Sequence, residues 1–121
     1  MLLAAALAAT PAIAAEATLP VDMQGTWGWD DEACGDRVSD GRVAVTSRTV
    51  EFFASAYALD DPRPTADGGW GSRAKVFEEG EEQTAEAEIA LRLRDANALE
   101  IRTGGEEPFV YVRCADDLPV R

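Results

Sequence analysis

Between Thr84 and Arg94 the chain alternates with a period of two. Ala85, Ala87, Ile89, Leu91 and Leu93 share one parity, and Glu86, Glu88, Ala90, Arg92 and Arg94 share the other. Successive side chains of a β-strand point to opposite faces, whereas a helix would spread these apolar residues around its axis. Alanine, glutamate, leucine and arginine are good helix formers, so propensity alone would permit a helix. The sustained alternation decides for a strand with one buried face.

The same reading extends along the chain. Met23–Trp29, Arg42–Thr46, Thr49–Phe53, Trp70–Phe77 and Phe109–Cys114 read as strands, with Leu99 and Ile101 on the inner face of another. Residues 54–59 continue the Thr49 strand through a bend or begin a new one. Asp30–Gly41 and Asp60–Gly69 are rich in Asp, Gly and Pro and read as loops, and Glu78–Glu82, Asp95–Asn97 and Gly104–Gly105 read as turns. No segment reads as a convincing helix. Seven or eight short strands with tight turns predict an all-β fold. A small antiparallel closed or partly closed barrel is favoured, because closing hides the sheet edges. A two-sheet β-sandwich is the runner-up.

The chain has 121 residues, enough for one domain, which is expected over residues 18–121. Residues 1–17 are expected to be a signal peptide. An alanine- and leucine-rich run leads to Ala12-Ile13-Ala14 and Ala15-Glu16-Ala17, each with the small residues that signal peptidase accepts. No Lys or Arg precedes that run, so the natural start is expected upstream. The expected location is periplasmic or secreted, with no stable membrane insertion after cleavage.

Two cysteines, Cys34 and Cys114, form an even count in a chain expected to be exported, and are expected to form a disulfide. The bridge would tie the first loop to the last strand, so the first and last strands would meet, as they do in a closed barrel. The acidic neighbours of Cys34 disfavour reactive thiols.

Eleven basic residues against 23 acidic ones give a net charge of -12. Such a surface repels nucleic acid and anionic lipid, and it favours a soluble monomer. The chain contains no histidine. That removes the commonest general base, the Ser-His-Asp arrangement and most zinc sites. No catalytic residue, metal ligand or cofactor is expected. The acidic runs lack the spacing of a calcium loop and read as solvated turns.

Trp27 and Trp29 share strand parity and are expected on one face, with Trp27 in the core. Trp70, after Gly68-Gly69, reads equally as a core residue or as an exposed anchor. Trp70 and Trp29 are the candidate contacts for a partner or ligand.

Gly25-Thr26-Trp27 resembles the Gly-x-Trp signature that opens the first strand of lipocalin-like barrels. With the alanine-rich leader, Cys34 and the closing Cys114, it is also similar in outline to short secreted bacterial barrels, among them inhibitors of secreted metalloproteases. The lipocalin resemblance implies that Trp27 pairs with a late-strand arginine, for which Arg113 is the nearest candidate. The inhibitor resemblance implies an extended N-terminal inhibitory arm, which here would be Thr18–Asp22. The expected function is therefore a non-enzymatic binding or structural role, with an unknown protein or a small apolar ligand as partner. The alternatives are protease inhibition through the arm and carriage of a small apolar ligand.

Overall fold

A computed structural model of the protein describes residues 17–115. A 3-10 turn at Val21–Met23 leads into strand β1 (Gly25–Gly28), followed by a short helix α1 (Asp31–Gly35). Strands β2 (Arg42–Val45), β3 (Thr49–Glu51), β4 (Ser55–Leu59), β5 (Arg63–Pro64), β6 (Trp70–Glu78), β7 (Ala85–Asp95), β8 (Ala98–Thr103) and β9 (Phe109–Arg113) follow. All pairings are antiparallel. β1 pairs with both β2 and β9, and β4 pairs with β6, so eight strands close into one barrel. The two-residue β5 extends the edge of β6 beyond the end of β4. The chain is thus an all-β closed barrel, and the sandwich is excluded.

The core follows the alternation. Trp27, Val43, Val45, Val50, Leu59, Ala74, Ile89, Leu91, Leu99 and Ile101 point inward and form one cluster with Leu19 and Met23. Among the described residues no polar or charged residue is buried. Eight strands enclose an interior just wide enough for side chains to fill.

Three local features differ from expectation. Asp31–Gly35 is helical where a loop was expected: the Asp30 carboxylate accepts from Ala33 N at 2.8 Å, and Asp31 and Glu32 suit the positive end of the helix. The strand read as Met23–Trp29 is shorter, because its first residue is taken into the 3-10 turn. Trp29 lies beyond the end of β1 and is 45% exposed, while Trp27 is fully buried, so the two do not share a face. The Trp29 ring instead covers Gly41, where a Cβ would clash with the ring atoms.

Cys34, carried by α1, meets Cys114 just after β9, with an S–S distance of 2.08 Å and a Cα separation of 5.1 Å. This bridge fixes α1 against the outside of β1, where a Cβ at Gly28 would stand 3.0 Å from the Cys34 sulfur. The expected signal peptide lies, except for Ala17, outside the described residues.

Candidate binding end of the barrel

The two ends of the barrel are built differently. One end is closed by the N-terminal segment. Leu19 and Met23 are buried there, and Leu19 N donates to Ser47 O at 2.8 Å. The Trp27 indole N–H donates to Met23 O at 3.0 Å and so ties the 3-10 turn to β1. Trp27 and Arg113 are directly opposed in the β1–β9 register, so both side chains lie on the inner side. The Arg113 guanidinium stands 4.2 Å from the Trp27 ring centroid. It donates to the carbonyls of Ala96, Gln24 and Asp22 at 3.0, 3.3 and 2.5 Å. A planar guanidinium suits this double role, because its face stacks on the ring while its edge reaches three acceptors. Arg48 likewise donates to the carbonyls of Ala17, Leu59 and Asp60. Gly25 begins β1 at φ 130°, a conformation that L side chains rarely adopt, which explains glycine at that point.

The opposite end lies where β3, β6 and β8 finish and β4, β7 and β9 begin. Phe52, Tyr57, Phe109 and Tyr111 have inner parity there. Phe52 and Tyr57 meet edge to face at 5.4 Å, and Phe109 and Tyr111 meet at 4.9 Å. Phe52, Tyr57 and Tyr111 are partly buried against the core, while Phe109 is 48% exposed. Burial raises the Tyr111 pKa above its ordinary value. Burial also raises that of Tyr57, opposed by a hydrogen bond with Thr103 and assisted by the charges of Glu78 and Glu106.

This end is open on the β7 side. β8 pairs with β7 only from Ile89 onward, whereas β6 pairs with it from Ala85. The first turn of the β6–β7 hairpin therefore projects past the barrel. Ala85 faces inward opposite Val76, yet Ala85 is exposed and Ala87 only partly buried. Small side chains at these inner positions fill less of the barrel than the valines, leucines and isoleucines nearer its middle. Exposed large apolar residues gather around this end: Trp29, Val38, Phe53, Phe77, Phe109 and Val110. Among the described residues only Val21 of this kind lies at the closed end.

The rim is acidic. Glu78, Glu79, Glu81, Glu82, Glu106 and Glu107 occupy the β6–β7 and β8–β9 turns, and neither 78–91 nor 103–112 contains a Lys or Arg. The nearest basic side chain on the hairpin, Lys75, lies on the outer face opposite Glu86 in the β6–β7 register, and Arg73 beside it is held by Glu86 at 2.6 Å.

The candidate residues from the sequence separate. Gly25, Trp27 and Arg113 come together at the closed end, and Cys34 and Cys114 join on the outer wall. Trp70 is partly buried and packs against the core, so it is not a free-standing anchor. Trp29 is exposed but lies over Gly41, outside the aromatic mouth. Phe52, Tyr57, Phe109 and Tyr111 were not singled out in the sequence. Their parity was legible, and each contacting pair is local, but that the two pairs stand at the same end of one barrel depends on long-range strand pairing. A second surface feature, a cleft on the outer wall lined by Arg92, Arg102, Thr65 and Asp67, also holds Glu100, which engages Arg92 there and Arg94 beyond the cleft. Among the described residues no group of three or more acidic or sulfur side chains is placed to hold a metal ion.

No family model matches the chain, and neither the curated proteins nor the solved structures that were compared with it include a match.

Proposed function

We propose that the protein is an exported, non-enzymatic binding barrel that takes a small apolar ligand at its open, aromatic-lined end. The observation that carries this reading is the asymmetry of the barrel: inner-facing aromatic rings and alanines are accessible at one end, while the other is plugged by Leu19, Met23 and Trp27. Ligand sites are characteristically concave and aromatic, and barrel mouths are a common place for them. The lipocalin-like Gly25-Thr26-Trp27 opening and the Arg113 contact agree with that use of a barrel. The inhibitor reading has less support, because the segment that would be the inhibitory arm is docked into the barrel through the buried Leu19.

The test uses the neutral apolar fluorophore N-phenyl-1-naphthylamine. Saturable fluorescence enhancement is expected with the wild-type protein. Ala87→Arg, which places a bulky charge on the accessible inner face, should weaken binding by about tenfold or more. Thermal unfolding verifies that the variant is folded. Absence of saturable binding, or full binding by the folded variant, would overturn the proposal.

A further inference from the structure

We infer that the open end selects an apolar ligand that carries a positive charge, an alkylammonium or similar organic cation; this rests on the apolar-ligand reading of the same end. The site is an apolar mouth, and its occupant is indicated by charge complementarity.

The inner lining supplies π-faces. Tyr57, Phe52, Tyr111 and Phe109 form two contacting aromatic pairs around the mouth, and the negative faces of such rings attract cations. Phe109 keeps about half of its surface free for contact. The rim supplies full charges. Glu78 lies opposite Ser55 in the β4–β6 register, two positions from Tyr57, and Glu106 follows Thr103, the hydrogen-bond partner of Tyr57. Carboxylates therefore approach the aromatic floor from two sides.

The two rim turns contain no basic residue. Arg102, on the outer face of β8, borders a hollow with Glu106 and Glu107, and among the described residues no basic side chain stands beside Glu78 on the inner face. Of the arginines near the barrel ends, Arg48 and Arg113 face the closed end and Arg42 donates to the Cys34 carbonyl from the outer wall, while Arg37 and Arg102 border hollows on the outer wall at the open end. A ligand with a negative head would meet repulsion from the rim in addition to the net charge of -12. A neutral apolar ligand would forgo the electrostatic attraction that the same rings and carboxylates offer a cation. The required shape is an apolar body with the charge at its outer end, so that the body enters the mouth and the ammonium stays level with the carboxylates.

The experiment compares octyltrimethylammonium, 1-octanol and octanesulfonate, all below micelle-forming concentrations, as competitors of N-phenyl-1-naphthylamine. Calorimetry with octyltrimethylammonium provides a direct measurement. At low salt the cation should bind about tenfold more tightly than the alcohol, and the sulfonate more weakly than either. High salt should shrink the preference, because the rim carboxylates are exposed to screening. Glu78→Gln combined with Glu106→Gln should reduce the ratio of cation to octanol affinity several-fold, and an unchanged ratio would overturn the role of the rim carboxylates. Equal binding of octanol and the cation would overturn the charge selectivity and leave the apolar site standing. If neither the fluorophore nor the cation binds, both readings fall.

Discussion

At the closed end of the barrel, Arg48 and Arg113 each donate to three backbone carbonyls, and Trp27, Leu19 and Met23 exclude water. At the open end the charged residues are carboxylates on turns, and Phe109, Phe77 and Phe53 are each about half exposed or more. The arginines of the first end point at the chain itself. The carboxylates of the second stand on exposed turns around the mouth. Stabilising contacts are concentrated where the fold begins and finishes, which leaves the far rim free to carry side chains that do little for stability. Binding surfaces in general sit on parts of a molecule that a rigid scaffold positions but does not need.

The contrast can be broken by measurement. The largest effect is expected from removing the bridge that anchors α1 to the end of β9. Cys34→Ser combined with Cys114→Ser opens a link spanning 80 positions, and the chain-entropy estimate puts the loss at about 4.5 kcal/mol. Urea denaturation should show a correspondingly lower midpoint. A midpoint unchanged from the wild type would mean that the ends stay together without the sulfurs.

A slightly smaller effect separates the two ends directly. Trp27→Ala should cost about 3–5 kcal/mol, because it opens a cavity in the plugged end and removes the surface on which Arg113 stacks. Phe109→Ala, at the open end, should change stability by about 1 kcal/mol or less. Comparable losses from the two substitutions would abolish the distinction between a structural end and a free one.

The smallest effect sharpens the description of the mouth. Tyr57 and Tyr111 are the only tyrosines of the chain, so tyrosinate absorbance reports on this region alone. Both should ionise above the ordinary value of 10.0. A raised folded-state pKa contributes stability that is fully present below the unfolded value and is lost as the pH rises through the folded one. Stability should therefore decline in the alkaline range above about pH 10. Glu78→Gln combined with Glu106→Gln should lower the Tyr57 midpoint and leave that of Tyr111 in place. A Tyr57 midpoint unmoved by the double substitution would place the two carboxylates farther from the mouth than described.

Much of the scaffold was legible in the residues. The period-two run at 84–94 marks β7, and Ile89 and Leu91 are buried as their parity requires. Leu99 and Ile101 are likewise buried on β8. The exposure of Ala85, on that same parity, was not legible, because it depends on β8 ending short of it. Trp29 was misplaced because strand parity was carried past Gly28, where the strand stops. The α1 helix escaped notice because five residues carry no apolar repeat, and only the Asp30 cap marks its start.

The sequence by itself determined that the chain is a sheet of short strands, the inward parity of the strand that carries Ile89 and Leu91, and which two cysteines are available to be joined. Those properties follow from local alternation and from counting, which need no knowledge of neighbours. Only the tertiary structure decided that the sheet closes through β4 and β6, and that two aromatic pairs, Phe52–Tyr57 beside the β3–β4 turn and Phe109–Tyr111 on β9, stand at one acidic rim. Each of these depends on which strands pair and where one outruns its neighbour, and a chain's pattern along its length does not record that register.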